Sequence, residues 1–290
     1  MHLTRLKILI VDGNTRETDD AHVALGGNPT AEHYARVLYS IRSDVKCSLF
    51  HPARNGSPAL PAGITLKSFH GIAWTGSALN VYQDSPAVQA QIELARTAFE
   101  SGVPQFGSCW GLQVAAVAAG GVVRPNPNGR ELGIARRITL TSNGREHPMF
   151  DGKRNPFDAL TVHMDEIVEQ PIGMKVLASN AVSAVQAAEI RHGNGTFWGT
   201  QYHPEYDFNE LAIVILRYGQ RLIESGFFAD MPTLLRFVND LCALHEDHSR
   251  MDLAWLYGIG DDVLDPAHRG LELKQWLERE VVPKLGIPVM

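Results

Sequence analysis

A single cysteine flanked by glycines is the residue of this sequence best suited to covalent chemistry. Cys109 stands in a Gly-Ser-Cys-Trp-Gly segment, residues 107–111, which follows an apolar run and precedes a helix-forming run. Glycines on both sides permit the tight strand-to-helix turn that exposes a nucleophile beside a helix N-terminus. The same small residues also suit a close crossing of a helix over a strand. We interpret Cys109 as a catalytic thiol, which requires a base from elsewhere in the chain.

A histidine and a carboxylate lie together far downstream, in His203-Pro204-Glu205. A thiol is mostly protonated near neutral pH, and an imidazole is a common partner that generates the thiolate. Pro204 favours an extended backbone, in which residues two apart project to the same side, so Glu205 can orient His203 and stabilise its imidazolium form. Taken alone, the His-Pro-Glu tripeptide is also consistent with an ordinary strand end whose charged residues face solvent. Together with the cysteine turn, it predicts a triad of Cys109, His203 and Glu205.

Attack on a carbonyl also requires hydrogen-bond donors for the negative oxygen that develops, each contributing about 3 kcal/mol when well placed. The backbone N–H of Trp110, directly after the nucleophile at the start of a helix, is one candidate. Gly76 and Ser77, in a short loop after an apolar run, offer a second N–H. That loop by itself is more typical of an ordinary strand-to-loop turn. In combination with the triad, we predict an oxyanion hole formed by Trp110 with Gly76 or Ser77.

Short apolar runs that alternate with helical patterns must position these residues. Apolar runs at 7–11, 45–50, 69–74 and 103–106 predict strands, and helical patterns are present at 30–41 and 86–101. This alternation predicts an α/β fold with a parallel sheet, whose ligands usually bind at the carboxyl ends of the strands. The loops that carry Cys109 and Gly76 both follow such strands.

The pattern changes after residue 130. Residues 131–205 contain shorter β-rich pieces with a hairpin turn at 192–195, and nearly everything from Phe208 onward has a helical pattern. We therefore predict a catalytic domain over residues 1–207 and a helical C-terminal extension over residues 208–290 that packs on or beside it.

Three motifs taken together resemble the class I glutamine amidotransferases, the glutaminase family with a cysteine elbow and a His-x-Glu pair. The resemblance covers roughly Leu6 to Tyr206. It implies a flavodoxin-like mixed sheet with flanking helices, with Cys109 as the nucleophile, His203 as general base and acid, and Glu205 as its orienting carboxylate. The motifs are Trp-Thr-Gly-Ser at 74–77, Pro-Gln-Phe-Gly-Ser-Cys-Trp-Gly-Leu-Gln at 104–113, and Trp-Gly-Thr-Gln-Tyr-His-Pro-Glu at 198–205.

The resemblance also implies substrate contacts. Gln113, one helical turn after Cys109, would help to hold the amino-acid end of the substrate. His163 and Asp165 match a His-x-Asp segment that lies near the substrate entrance or the partner-facing side in many members; the alternative is a satisfied strand-end histidine with an exposed aspartate. The family often carries two glycines in the first oxyanion loop. Ser77 replaces the second glycine here, so the choice of donating amide stays open.

The implied reaction is hydrolysis of a γ-glutamyl amide through a thioester at Cys109, which releases glutamate and either ammonia or an amine. One hypothesis is a glutaminase subunit that supplies ammonia to a separate synthase. A second is a stand-alone hydrolase that selects a larger amine, to which the polar segment 15–30 would contribute as a lid or specificity loop. A third is a non-catalytic, partner-binding relative, against which the intact triad argues.

Composition restricts the remaining choices. The 290 residues carry a net charge of -6, which favours neither nucleic acid nor an anionic membrane as the main partner. Three cysteines without close spacing predict neither a disulfide framework nor a zinc site, and we expect a cytoplasmic protein without cofactor or metal. The expected binding partner is a small γ-glutamyl substrate. A synthase subunit and a second copy of the chain are possible further partners that the sequence leaves open.

Overall fold

The computed structural model describes residues 5–285, which form a mixed central sheet covered by helices. The strands are β1 (Leu6–Val11), β2 (Val45–Phe50), β3 (Gly71–Trp74), β4 (Gln105–Ser108), β5 (Val122–Pro125), β6 (Glu131–Leu140), β7 (Phe157–His163), β8 (Asp165–Glu169), β9 (Met174–Ser179), β10 (Ala187–His192) and β11 (Gly195–Thr200). The helices are α1 (Arg16–Ala24), α2 (Thr30–Ile41), α3 (Pro52–Asn55), α4 (Pro86–Ser101), α5 (Trp110–Ala118), α6 (Ser142–Arg145), α7 (Phe208–Glu224), α8 (Met231–Glu246), α9 (Met251–Leu256), α10 (Asp261–Leu264), α11 (Pro266–Arg269) and α12 (Leu271–Trp276). Short 3-10 turns cover Leu66–Ser68, Pro148–Phe150 and Val282–Leu285, and a π-helical turn covers Leu277–Val281.

Most of the strands form one sheet in the order β2-β1-β3-β4-β11-β10-β9-β6-β7. Strands β2, β1, β3, β4 and β11 pair in parallel, whereas the pairs from β11 through β10, β9, β6 and β7 are antiparallel. Strands β5 and β8 form a separate two-stranded antiparallel ribbon. The predicted α/β fold with a flavodoxin-like mixed sheet and flanking helices is confirmed.

The register between β4 and β11 brings distant parts of the chain together. Thr200 at the end of β11 pairs with Ser108 at the end of β4, and the Cys109 N–H donates to the Thr200 carbonyl oxygen at 2.7 Å. Strand β3 pairs with the other side of β4. Because these strands are parallel, the loops that carry Gly76, Cys109 and His203 leave the same edge of the sheet.

Local signals set the ends of the helices that frame this edge. Helix α4 begins after Ser85, whose side chain accepts a backbone N–H, and has Pro86 in its first turn. It ends at Ser101, and the next residue, Gly102, has a φ of 72°, the left-handed conformation that glycine tolerates. Helix α5 begins at Trp110, directly after Cys109, without a side-chain cap, so its first N–H groups stay available to a ligand.

Apolar side chains fill both faces of the sheet. One face packs against α4 and α5, with Ile92, Phe99 and Leu112 among its buried residues. The other face packs against α2 and α12, where the Trp276 ring lies 5.9 Å from the Phe106 ring, centroid to centroid. The sheet is therefore shielded on both sides, and its carboxyl edge is held between two packed layers.

The helices after residue 207 pack on two different surfaces. Helices α7 and α8 form a third buried cluster with Leu160 and Val162 of β7, whereas α12 belongs to the layer on the main sheet. The division into a catalytic domain at 1–207 and a helical extension at 208–290 remains our proposal, with its boundary in the loop between β11 and α7. Within residues 5–285, no helix is both long and apolar enough to span a membrane.

Candidate active site

Cys109 occupies a strained turn between β4 and α5. Its φ is 50° and its ψ is -99°, a backbone conformation that costs a non-glycine residue about 1–3 kcal/mol. The residue is 6% exposed, and Sγ lies 3.7 Å from the Val162 carbonyl oxygen. Strain of this kind at a cysteine that reaches a cavity is typical of a nucleophile turn.

The glycines on either side of this turn have a packing reason of their own. A Cβ on Gly107 would lie 2.6 Å from Phe197 Cζ, and a Cβ on Gly111 would lie 2.6 Å from Trp74 Cβ. The close helix–strand crossing that the sequence also allowed is therefore present. It accounts for the two glycines, but it does not account for the positive φ of Cys109.

His203 and Glu205 form a buried pair beside Cys109. His203 Nδ1 lies 2.8 Å from Glu205 Oε1, and the two side chains are 3% and 2% exposed. Burial lowers the pKa of His203, but the charge of Glu205 and hydrogen bonding with Cys109 outweigh burial and raise this pKa to about 10. The ring of Tyr206 stacks on the imidazole with centroids 3.9 Å apart. Glu205 thus occupies Nδ1, which leaves Nε2 for the thiol.

Two further contacts fix Glu205. Ser108 Oγ donates to Glu205 Oε2 at 2.7 Å, and His33 Nε2 hydrogen-bonds to the Glu205 carbonyl oxygen at 2.9 Å. Sequence reasoning missed Ser108, His33 and the stacked Tyr206. A buried carboxylate requires hydrogen-bond donors for both oxygens, so a second donor to Glu205, besides His203, could have been expected from the sequence.

The loop after β3 lies directly against the imidazole. A Cβ on Gly76 would be 2.8 Å from His203 Cε1, so only glycine fits here without movement. The loop is held from behind, since Thr75 Oγ1 accepts from the Gly13 N–H at 2.9 Å and Ser77 Oγ donates to the Gly13 carbonyl oxygen at 2.8 Å. The hydroxyl of Ser77 therefore anchors the loop, while its backbone N–H stays available.

Three backbone donors at this edge have no protein acceptor. Within the described chain, the N–H groups of Gly76, Ser77 and Trp110 donate neither to a carbonyl oxygen nor to a side chain. The Trp110 N–H also stands at the positive end of α5. The arrangement can therefore offer hydrogen bonds to an oxyanion formed beside Cys109.

A groove of about 300 Å³ opens beside Cys109 and receives the other candidate residues. Gln113 lines this groove, and its Nε2 donates to the Asp165 carbonyl oxygen at 3.3 Å. The Asp165 carboxylate accepts hydrogen bonds from Asn80 Nδ2 at 2.7 Å and from the Tyr82 hydroxyl at 3.2 Å. Asn80 and Tyr82, which also line the groove, were not recognised in the sequence because neither stands in a chemical motif.

Comparison with known proteins identifies the family of this chain. The family model for class I glutamine amidotransferases matches residues 59–219, more than half of the chain. The chain belongs to the class I glutamine amidotransferase family. The resemblance drawn from the three sequence motifs is therefore confirmed.

Individual relatives add detail to this membership. A γ-glutamyl-L-1-hydroxyisopropylamide hydrolase from Pseudomonas sp is 33% identical over 285 residues, which cover 97% of this chain and 95% of that protein. A glutamine-hydrolysing GMP synthase subunit from Saccharolobus solfataricus is 31% identical over 152 residues, or 52% of this chain and 76% of that protein. A crystal structure of a glutamine amidotransferase from Thermotoga maritima has a TM-score of 0.65 at 15% identity, covering 96% of this chain and 99% of that one. This structural similarity supports the assignment of the fold.

In this class I amidotransferase, His163 is engaged by protein groups on both sides. Its Nε2 lies 2.9 Å from Glu131 Oε2, and its Nδ1 lies 3.2 Å from the Asp165 carbonyl oxygen. His163 lines the groove. Its contacts match the alternative interpretation, in which it is a strand-end histidine whose hydrogen bonds are made to other protein groups. Asp165 differs from that alternative, because it is only 4% exposed. Asp165 stays a candidate substrate contact, and His163 contacts the backbone of the segment that carries it.

One group of metal-ligand types is present among the described residues. Asp12, Asp19 and His51 bring side-chain atoms within 4.8 Å of one another. Arg54 already contacts both carboxylates, and His51 Nδ1 lies 3.0 Å from Asp12 Oδ2. A cation would have to displace Arg54, so we interpret the group as an ion-pair network that anchors α1 to the end of β1.

Proposed function

We propose that this protein hydrolyses γ-glutamyl amides through a thioester at Cys109. His203 takes the thiol proton, Sγ attacks the amide carbon, and the resulting oxyanion receives hydrogen bonds from Trp110 and from Gly76 or Ser77. The C–N bond then breaks as His203 returns the proton to the leaving nitrogen. Water, activated by His203, adds to the thioester, the C–S bond breaks, and glutamate is released.

The observation that carries this proposal is the convergence of Cys109, His203 and Glu205 at one edge of the sheet, where the groove opens beside Cys109. The carboxylate orients the imidazole, the imidazole faces the thiol, and unoccupied backbone donors lie at the same edge. The groove also provides a setting for a γ-glutamyl group. Arg130 and Arg221 line it and can attract an α-carboxylate, while polar groups at Gln113 and Asp165 suit an α-amino group.

A substituted γ-glutamyl amide is the substrate class that we favour. The Pseudomonas hydrolase aligns along 97% of this chain, including the helices after residue 207. Supply of ammonia to a separate synthase is a second candidate function, favoured by the match to the Saccharolobus GMP synthase subunit. That match covers only 52% of this chain. Because the thiol must stay reduced to react, we also propose that the protein acts in the reducing cytoplasm.

Release of glutamate by the purified protein from glutamine and from a panel of γ-glutamyl alkylamides tests these proposals. We expect turnover by the wild type and loss of turnover in Cys109→Ala. Cys242→Ala provides a matched control, since Cys242 is half-buried and lies on α8. Fast turnover of a substituted amide supports the hydrolase. Slow glutamine turnover that rises when a synthase is added supports ammonia supply, and turnover retained in Cys109→Ala contradicts both.

A further inference from the structure

The carboxylate of Glu131, at the start of β6, is buried and closely surrounded by donors, although no step of the proposed reaction uses it. The residue is 6% exposed. Gln186 Nε2 donates to its Oε2 at 2.6 Å, and Asn180 Nδ2 donates to its Oε1 at 2.6 Å. His163 Nε2 lies 2.9 Å from the same Oε2. Hydrogen-bond donors stabilise the negative charge of a carboxylate, so this environment favours the ionised form of Glu131.

The ring of His163, at the end of β7, stands between two acceptors. Its Nε2 faces the Glu131 carboxylate, and its Nδ1 lies 3.2 Å from the Asp165 carbonyl oxygen. A carbonyl oxygen can only accept, and this one also receives the Gln113 amide at 3.3 Å. A neutral imidazole carries one N–H, whereas the two contacts together require two. The geometry therefore favours a doubly protonated His163, whose fully buried charge is paired with Glu131.

Asp165 connects this ion pair to the substrate groove. Its carboxylate accepts hydrogen bonds from Asn80 Nδ2 at 2.7 Å and from the Tyr82 hydroxyl at 3.2 Å. Asn80 and Tyr82 lie in the loop after β3, whereas Asp165 begins β8, so these bonds join two walls of the groove. A displacement of the Asp165 backbone would separate the two walls.

The catalytic triad has supports of its own. Ser108 Oγ and His33 Nε2 both bind Glu205, and within residues 5–285 neither of these two side chains forms a hydrogen bond with Glu131 or His163. Glu131 does not line the groove itself. A change confined to the Glu131 side chain should therefore alter the shape of the groove and leave the acid–base groups in place.

We propose that Glu131 is a positioning residue, which keeps His163 doubly protonated and through it holds the Asp165 wall of the substrate groove. The expected effect on turnover rests on the proposed γ-glutamyl amide hydrolysis. The groove holds the substrate both before and during the chemical step. Loss of contacts that are equally strong in both states raises KM and leaves kcat unchanged. Glu131 should therefore affect substrate binding more than the chemical step.

The variant Glu131→Gln tests the proposal by kinetics, because it keeps the size of the side chain but removes its charge and one acceptor oxygen. We expect KM for the γ-glutamyl amide that is hydrolysed fastest to rise about tenfold, with kcat within about twofold of wild type. Glu169→Gln makes the same charge change at an exposed position of β8 and should leave both constants unchanged. Ser108→Ala acts on the triad and should show the opposite pattern, a lower kcat with an unchanged KM.

The ring nitrogens of His163 provide a second measurement that does not depend on turnover. Nitrogen-15 NMR near neutral pH, with the ring assigned by through-bond correlation to its backbone, counts the N–H groups of this imidazole. We expect two N–H groups in the wild type and one in Glu131→Gln. A variant that only loses stability would keep both protons in its folded state.

The outcomes separate this proposal from the proposed reaction. A wild-type His163 ring with a single N–H overturns the role of Glu131, and this measurement stands even if Glu131→Gln does not fold. An unchanged KM in folded Glu131→Gln, or a fall in kcat without a rise in KM, also overturns it. Both results leave the hydrolase intact if the wild type shows Cys109-dependent turnover. Absence of turnover on every amide overturns the proposed function, while the NMR comparison still tests the pairing of Glu131 with His163.

Discussion

Replacing Gly76 by alanine tests the contact between the proposed oxyanion loop and the imidazole. The added Cβ would lie 2.8 Å from His203 Cε1, whereas an ordinary carbon–carbon contact is about 3.5–4.0 Å. One of the two partners must therefore move by about 1 Å. The loop cannot retreat easily, because Thr75 and Ser77 bind it to Gly13 at 2.9 and 2.8 Å. A misplacement of this size costs about 100-fold in rate, and loss of one oxyanion donor costs a similar factor.

We therefore expect kcat/KM for glutamate release to fall about 100-fold in Gly76→Ala, with a loss of unfolding free energy of about 1–3 kcal/mol from overpacking. Initial rates and urea unfolding measure the two effects. Gly260→Ala is the matched control, since a Cβ there meets no heavy atom within 4 Å. A Gly76→Ala enzyme with a rate within about threefold of wild type would refute the proposed position of this loop.

The remaining predictions concern the groups that hold His203. Glu205→Gln should lower kcat on the order of 10³-fold, because the amide no longer stabilises the imidazolium or fixes its tautomer; Ser108→Ala, which removes one donor to Glu205, should cost only about three- to tenfold. Equal losses in steady-state assays of the two variants would show that Ser108 acts by another route. The His203 pKa, which Glu205 and Cys109 raise from 6.5 to about 10 against the effect of burial, also predicts a pH dependence of stability. A group with a raised folded-state pKa stabilises the fold below its unfolded pKa and loses that contribution as pH rises through the folded value. The difference in unfolding free energy between wild type and His203→Gln should therefore shrink from about pH 6.5 to about pH 10, and a growing difference in urea titrations contradicts the assignment.

The helices with strong local signals could be predicted closely from the sequence. Helix α4 has the predicted bounds because Ser85 and Gly102 mark its two ends. Helix α1 was not predicted, because its residues are mostly polar and their pattern is typical of a loop. The structure shows that this helix buries Asp19 and His22 instead of an apolar face. Strands β5 and β8 were not predicted either, and they form a separate two-stranded ribbon outside the main sheet.

The residues of the candidate site also differ in how well the sequence alone indicates them. Cys109, His203 and Glu205 stand in compact motifs whose residue types indicate one chemistry, so the sequence contains the information needed to propose them. The residues that support them are spread over separate elements, as with Ser108 on β4 and His33 on α2, which both contact Glu205. The position of His33 depends on how α2 packs against the sheet, which no local spacing encodes.

Peptide mapping after reaction with a glutamine-like diazoketone identifies the nucleophile of this protein. This reagent carries the γ-glutamyl recognition groups and alkylates the thiol that would form the thioester. We expect one label per chain, on Cys109, with loss of glutamate release in proportion to labelling and slow labelling in His203→Ala. A label on Cys47 or Cys242 that abolishes activity, or full activity after Cys109 has been labelled, would contradict it.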